Sequence, residues 1–85
     1  MFEWDDGNLD HIAEHGVESW EVEEAFADRQ RIPYDAHSGR DGYIGRTEDG
    51  RLLVLIFEHR GRHIRVVTAR DASTREQRSY RRANR

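Results

Sequence analysis

The side chains best suited to chemistry in this sequence lie between positions 43 and 70: the phenol of Tyr43, the acid Glu58, the imidazole of His63 and the guanidinium of Arg65. Cleavage of RNA without a metal needs a base to activate the 2′-hydroxyl, an acid for the leaving oxygen and cations for the phosphate charge. Glutamate or histidine can act as the base, histidine or tyrosine as the acid, and arginine as the cation. The competing interpretation is a solvated sheet face with ordinary cross-strand ion pairs, and spacing alone favours it.

Two tight turns are predicted to bring these side chains onto one sheet face. Asp49-Gly50 and Arg60-Gly61 each separate apolar runs, and Asp-Gly is a strong signal for a two-residue hairpin loop. A two-residue loop at each site gives three antiparallel strands, at 42–48, 51–59 and 62–70.

The predicted register assigns residues to the two faces, because side chains alternate along a strand. Glu58 would lie opposite His63, and Ile56 between Tyr43 and Arg65. The buried face would carry Ile44, Leu53, Leu55, Phe57, Ile64 and Val66. The other face would carry Tyr43, Val54, Ile56, Glu58, His63, Arg65, Val67 and Ala69, with Arg46 and Arg70 near its margin. A bulge in either hairpin would move some of these residues to the opposite face.

Length and composition limit the class of protein. Eighty-five residues form one small domain, 1–85, and although 36% are charged, the apolar residues recur periodically, which predicts a folded chain. The absence of cysteine excludes disulfides and thiolate zinc sites. No apolar run is long enough for a membrane span and no signal peptide opens the chain, so we expect a cytoplasmic protein.

Charge is distributed unevenly along the chain. Residues 1–28 contain ten acids and no Arg or Lys, whereas residues 29–85 contain fourteen Arg and seven acids. This asymmetry predicts a basic working face and an acidic back. The use of Arg alone suits phosphate and base recognition, but a GC-rich genome would explain it equally well.

The remaining elements are predicted from capping and periodicity. Asn8 is expected to cap a first helix that stops at Gly16, and a second helix should run from Ser19 to about Asp28. Ser73 and Glu76 have the spacing of a capping box for a last helix. Two short edge strands are expected, at 1–4 (or an anchoring arm there) and at 31–35. The predicted class is α+β, in the order β-α-α-β-β-β-β-α: two N-terminal helices packed on an antiparallel sheet of three to four strands, then a C-terminal helix.

Three further features have weaker interpretations. His11 and His15 match the inverted zinc-protease motif H-x-x-E-H, but the helix is short and a third ligand is missing, so we expect no metal site and no cofactor. The last helix could bind phosphate, lie in solvent or dock on an acidic protein surface. Its arginines are Arg75, Arg78, Arg81, Arg82 and Arg85. His37, in a Gly-flanked loop, has no role assigned by physics alone.

The order and spacing of several short motifs resemble one known family over nearly the whole chain. They are Phe2-Glu3-Trp4-Asp5, His15-Gly16-Val17 before an acidic helix, His37-Ser38, Ile44-Gly45-Arg46, Gly50-Arg51-Leu52-Leu53-Val54, and Ile64-Arg65-Val66-Val67-Thr68-Ala69-Arg70 followed by Glu76 and Tyr80. In these motifs the chain resembles the BrnT family.

The BrnT resemblance implies a type II toxin of RelE-like fold that cleaves messenger RNA without a metal, free or on the ribosome, and blocks translation. It implies a small BrnA-like antitoxin that binds and silences the toxin, with operator DNA contacted only through the antitoxin and a homodimer as a further option. The catalytic candidates are Glu58 as base, Tyr80 or His63 as acid, and Arg65 and Arg70 as cations. The RNA-binding candidates are Arg46, His37, Tyr43, Arg78 and Arg82.

Two alternatives belong to other classes. The domain could be a binding module that holds RNA or an antitoxin without catalysis, in which case RNA binding would depend steeply on salt with no cleavage. It could also be a structural dimer, in which case no nucleic acid would bind.

Overall fold

A computed structural model describes residues 1–85 as one mixed sheet with helices on both faces. The elements in chain order are β1 (Phe2–Glu3), α1 (Asp6–Ala13), α2 (Ser19–Phe26), β2 (Ile32–Pro33), β3 (Asp41–Arg46), β4 (Leu52–Arg60), β5 (His63–Asp71) and α3 (Thr74–Ala83). This is the predicted α+β class and the predicted order of elements.

The sheet is larger than predicted. It has five strands in the order β1-β5-β4-β3-β2, where three or four antiparallel strands were expected. Both short edge segments are strands, and β1 runs parallel to β5, with Phe2 beside Ile64 and Glu3 beside Arg65. The N-terminal arm therefore closes one edge of the sheet, so the sheet is mixed.

The β3–β4 hairpin corrects the first predicted register. Its loop has three residues, 48–50, because Gly50 N–H donates to Thr47 O (2.9 Å) and Thr47 N–H donates to Arg51 O (2.8 Å). Gly50 has a φ of +91°, as in a type I turn followed by a left-handed bulge residue. The pairing shifts by one residue, which exchanges the faces: Ile44 lies opposite Val54 and Tyr43 opposite Leu55. The predictions that Ile44 shares the Leu55 face and Tyr43 the Glu58 face are wrong.

From the turn to Val66, the pairing of β4 with β5 is displaced by two residues from the predicted register, which leaves each side chain there on its predicted face. Its loop is Gly61-Arg62, with Gly61 at a φ of +59°, the first position of a type II′ turn. Arg60 pairs with His63, so Glu58 lies opposite Arg65 and not opposite His63 as predicted. Glu58 and Arg65 nevertheless share a face.

A bulge at Val67 reverses the alternation in the second half of β5. Phe57 pairs with Val66, but the next pair is Ile56 with Thr68, which leaves Val67 without a partner. Ala69 consequently lies opposite Leu55 on the buried face, which corrects its predicted place beside Glu58. Arg70 lies opposite Val54, so Arg65 and Arg70 occupy the same face although five positions separate them.

The larger core lies between the sheet and the N-terminal helices. Its members are Ile12, Val17, Val22, Ala25, Leu53, Leu55, Val66 and Ala69, with Phe2, Trp4 and Phe26 packed around them. Gly45 allows α2 to approach the sheet closely, since an added Cβ there would lie 2.2 Å from Ala25 O. From α2, the residues that pack against the sheet are Val22, Ala25 and Phe26.

The helix ends are mostly as predicted. The exception is α1, whose N-cap is Asp5 and not Asn8. Asn8 is the third helical residue of that capping box, and its buried amide donates to Glu3 O (2.9 Å) and Val66 O (3.1 Å). Gly16, at a φ of +70°, follows α1 as expected. No helix combines the length and apolarity that crossing a membrane requires.

Candidate functional site

The α3 helix covers only part of its sheet face. It docks through buried Tyr80, which packs with Ile44, Val54 and Ala72 in a second, smaller core. Beyond these residues, towards the β4–β5 turn, α3 does not cover the strands, and α1 borders this surface through Gly7, Asn8 and His11, which line one depression with Arg40, Glu58 and Arg65. We call this surface the open face, and its residues are Arg40, Ile56, Glu58, Arg60, His63, Arg65 and Thr68.

Glu58 lies at the centre of the open face between two cations. Arg60 Nη2 donates to its Oε1 at 3.2 Å, and Arg40 Nε is 3.5 Å from its Oε2. About a third of the Glu58 side chain is exposed (32%), so a ligand can reach the carboxylate. The register places Arg65 directly opposite and His63 diagonally across, which is within reach of a group bound between the two strands.

Arg65 is held by two acids from the N-terminal segment. Its Nη1 donates to Asp5 Oδ2 (2.8 Å) and Glu3 Oε1 (3.3 Å), and its Nη2 to Asp5 Oδ1 (3.3 Å). The hydrogen bonds, chiefly the one to Asp5, raise the pKa of Arg65. The bond from Arg65 in turn lowers the pKa of Asp5. A guanidinium has five N–H donors. Nε and one N–H of Nη2 therefore remain for a phosphate.

Arg70 is almost fully engaged within the protein. It makes a bidentate pair with Glu76 (2.8 and 2.9 Å) and also donates to Tyr34 Oη and Asp71 O, both at 3.1 Å. The bond from Arg70 lowers the pKa of Glu76 to about 2. Four of its five donors are used, so Arg70 ties β5 to the first turn of α3 and to the Tyr34 ring.

Tyr80 and Arg46 meet at Asp28, on the far side of α3 from the open face. Tyr80 is buried and its hydroxyl donates to Asp28 Oδ2 at 2.6 Å. Burial, together with the Asp28 carboxylate, raises the pKa of Tyr80 to about 12. Burial opposes ionisation of Asp28, but bonds from Tyr80 and from the backbone N–H groups of Gln30 and Arg46 prevail and lower its pKa. The Arg46 side chain is exposed and has no ion pair.

The other predicted RNA-binding residues lie away from the open face. Tyr43 is half-buried on the opposite face, where its ring packs against Phe26 (5.4 Å) and Phe57 (5.3 Å) and beneath Arg31 (4.8 Å). His37 is exposed in the loop before β3. Arg78 and Arg82 are exposed on α3, in a shallow depression that they form with Arg81 and Arg85.

The sequence did not indicate Arg40 or Tyr34. Arg40 reaches Glu58 from the loop before β3, and Tyr34 reaches Arg70 from beyond the short strand β2. Both contacts depend on the path of irregular segments, where neither periodicity nor a turn signal fixes the direction of a side chain. An aromatic next to Pro33 at a sheet edge was the only local signal for Tyr34.

His11 and His15 lie next to each other at the end of α1, with ring centroids 5.7 Å apart. No third His, Cys, Asp or Glu joins them in an arrangement that could hold a metal ion. The pair is exposed at the helix surface.

Comparison with known proteins identifies the family. The model for the BrnT ribonuclease toxin of type II toxin–antitoxin systems matches residues 4–76, which include every strand of the sheet except β1 and reach the first turn of α3. A search among curated proteins gave no significant match. Because the family match extends over most of the chain and includes Glu58, Arg65 and Arg70, this protein belongs to the BrnT family of ribonuclease toxins, whose partner is an antitoxin and whose substrate is RNA.

Proposed function

We propose that the toxin cleaves messenger RNA at the open face, without a metal, and thereby blocks translation. The observation that carries this proposal is the cross-strand pair of Glu58 and Arg65 on a surface that no helix covers. A base and a cation side by side are the minimum that attack of a 2′-hydroxyl on the adjacent phosphate needs.

Each group on the open face has a separate role in the proposed reaction. Glu58 removes the proton of the 2′-hydroxyl. His63, diagonally across on β5, protonates the leaving 5′-oxygen. Arg65, with two unused donors, and Arg40, which is bound only through Nε, contact the phosphate oxygens as negative charge develops on them.

Arg70 and Tyr80 have positioning roles in this proposal. Arg70 has only one unused donor, and Tyr80 is buried against Asp28, so neither group is as available to RNA as Arg65. They hold α3 and Tyr34 at the border of the open face. Arg46, Arg78 and Arg82 are exposed cations that the RNA backbone could reach further along its path.

The biological setting follows from the family. We infer a RelE-like single domain that acts in the cytoplasm on RNA, free or on the ribosome. A BrnA-like antitoxin covers the toxin and carries the contacts to operator DNA. Two of the ten N-terminal acids, Glu3 and Asp5, pair with Arg65, and the other eight, between positions 6 and 28, would repel RNA and leave that side to the protein partner.

The test is cleavage of RNA by purified protein in EDTA. Wild-type protein should cut the RNA, and Glu58→Gln should slow cleavage by roughly a hundredfold or more, as expected for loss of a general base. Arg65→Ala should cost a similar factor through lost stabilisation of the phosphate charge. Glu48→Gln and Arg29→Ala are matched controls, because both side chains are exposed and lack side-chain hydrogen bonds.

Removal of Arg65 also leaves Asp5 without its cation and Glu3 with Arg60 alone, at 3.8 Å, so Arg65→Lys should be measured beside Arg65→Ala, with a melting curve for each. Lysine keeps the positive charge but cannot donate the paired hydrogen bonds of a planar guanidinium. Cleavage by Glu58→Gln at the wild-type rate would reject the open face as the catalytic site.

A second candidate is a binding module without catalysis. The ion pairs that Glu58 and Arg65 already make within the protein favour it, because such pairs also occur on inert sheet faces. RNA binding that falls steeply with salt, with no cleavage by wild-type protein, would support this candidate.

A further inference from the structure

A cleft next to the open face has walls suited to a nucleobase. It lies at the sheet edge, between the loop after β2 and the adjoining ends of β3 and β4. Its functional side chains are Tyr34, Asp35, Arg40, Asp41, Tyr43 and His59. The cleft encloses about 370 Å³, near the lower end of the range for small-ligand sites, so it suits one nucleotide and not a folded segment.

Aromatic rings form one side of the cleft. The Tyr43 and Phe57 rings are 5.3 Å apart, and the His59 ring continues the row at 5.8 Å from Phe57. Proteins that read single-stranded RNA stack unpaired bases on such rings. Phe57 is buried, so the rings that a base can reach are the exposed His59 and the half-buried Tyr43.

Carboxylates supply hydrogen-bond acceptors at the mouth of the cleft. Asp41 is exposed, and its one ion-pair partner is His59, at 3.7 Å. Asp35 lies at the same mouth and accepts the backbone N–H of His37. Guanine presents two adjacent N–H donors on its Watson–Crick edge, at N1 and N2, and these match one carboxylate. Adenine, cytosine and uracil do not present this pair of donors.

The cleft is continuous with the proposed cleavage site through two of its own residues. Arg40 lines the cleft and also contacts Glu58 at 3.5 Å. Tyr34 lines it and accepts a hydrogen bond from Arg70 at 3.1 Å. An RNA chain whose phosphate lies on the open face therefore has a neighbouring base within reach of the cleft.

We propose that this cleft binds a guanine base of single-stranded RNA next to the phosphate that is cut, with Asp41 as the reader of the N1 and N2 donors. The placement next to the cut rests on the proposed function, whereas binding of guanine does not. The loop before β3 keeps Arg40 between the two sites. His37 and Ser38 adopt a φ of 58° and 55° there, a conformation that non-glycine residues rarely hold.

The test is the affinity for labelled tetranucleotides that are 2′-O-methylated throughout, so that no 2′-hydroxyl can attack. Four such RNAs differ in one internal base, which is guanine, hypoxanthine, adenine or uracil. By fluorescence anisotropy, wild-type protein should bind the guanine RNA about tenfold more tightly than the adenine RNA. The hypoxanthine RNA, which lacks the N2 amine, should fall between them.

Asp41→Asn should reduce the preference for guanine to less than about threefold, because an amide nitrogen replaces one acceptor oxygen. Asp49→Asn, an exposed acid in the distant β3–β4 loop, should leave the preference unchanged. Equal affinity of wild-type protein for the guanine and adenine RNAs would overturn the proposal, and so would a full preference in Asp41→Asn.

The two proposals fail separately. Cleavage that depends on Glu58 but shows no preference for guanine would reject the cleft alone. A preference for guanine that Asp41→Asn removes, in a protein whose Glu58→Gln variant cleaves normally, would support the cleft and reject the catalytic face.

Discussion

Replacing Tyr80 by Phe separates a structural role of this residue from a catalytic one. The change removes only the hydroxyl, which is buried and donates to Asp28 Oδ2 at 2.6 Å. The pKa of Tyr80 is raised from an ordinary 10.0 to about 12. A group whose pKa is raised in the folded state stabilises the fold fully below its unfolded pKa and loses that contribution as the pH rises through the folded value. The relevant window is therefore pH 10 to 12.

The pH dependence of the stability difference between wild type and Tyr80→Phe follows from the raised pKa of Tyr80. Two pH units at about 1.4 kcal/mol each mean that ionisation of Tyr80, opposed first by burial and then by Asp28, removes roughly 2 to 3 kcal/mol of stability between pH 10 and 12. Below pH 10 the Tyr80→Phe variant lacks a hydrogen bond to a charged acceptor, which is worth about 1.5–3 kcal/mol in mutational series. Below pH 10, Tyr80→Phe should therefore unfold more easily than wild type by about 2 kcal/mol, and the gap should shrink towards zero as the pH approaches 12.

The assay is urea unfolding of both proteins, followed by circular dichroism, at steps from pH 8 to pH 11.5. Tyr34 and Tyr43 titrate in both proteins, so the difference between the two curves isolates Tyr80. A gap that stays constant over this range would refute the raised pKa of Tyr80, and with it the burial of its hydroxyl beside Asp28. Cleavage of RNA, measured where both proteins are folded, should change less than about threefold, whereas loss of a general acid would cost at least about a hundredfold.

Three further predictions concern the elements that position the open face. Gly45→Ala should destabilise the protein by about 3 kcal/mol or more in urea unfolding, because the new Cβ would meet the backbone of Ala25, which cannot move aside alone. In the control variant Gly7→Ala the new Cβ meets only a side-chain oxygen at 3.2 Å, so this change should be neutral or stabilising. Equal effects of the two substitutions would contradict the close approach of α2 to the sheet. Glu76→Gln should remove the loss of stability that falls between pH 4.5 and 2. A carboxyl whose pKa is lowered to about 2 stabilises the fold above its unfolded pKa, and this stabilisation is lost as the pH drops to the folded value. Identical acid titrations of the two proteins would exclude the pair with Arg70. Ser73→Ala should cost about 1 kcal/mol in the same urea assay by removing the N-cap of α3, and an unchanged free energy of unfolding would show that this cap does not stabilise the helix.

The order of elements was predictable because each helix and strand has its own local signal. Ser73 with Glu76, Gly16, and the apolar runs around Leu53 and Val66 all act over a few residues. The register was less predictable, since Asp49-Gly50 fits both a two-residue loop and a three-residue loop with Gly50 in the left-handed region. Sequence does not distinguish these loops, yet they place Tyr43 and Ile44 on opposite sides.

The prediction that Glu58 and Arg65 share a sheet face survived a wrong register for a physical reason. The second hairpin slipped by two residues, and a slip of two preserves the face of every side chain. The slip of one in the first hairpin did not preserve it, so the predicted row of Tyr43, Ile56 and Arg65 does not exist. Arg40 and Tyr34 could not be found at all, because their contacts are made from irregular backbone.

Because Val67 is unpaired, the odd-numbered residues of β5 lie on one face of the sheet before it and on the other face after it. A relative of unchanged length in which β5 ran without the bulge would keep Arg65 in place but turn everything after it by half a turn, so that Arg70 would lie opposite Leu53 and Ala69 opposite Val54. Glu76 would then face an alanine, and the helix would lose its ionic attachment to the strand. A relative that lacks one residue here would instead keep Arg70 opposite Val54, so a one-residue gap at this position in an alignment of relatives preserves the surface that the arginine serves.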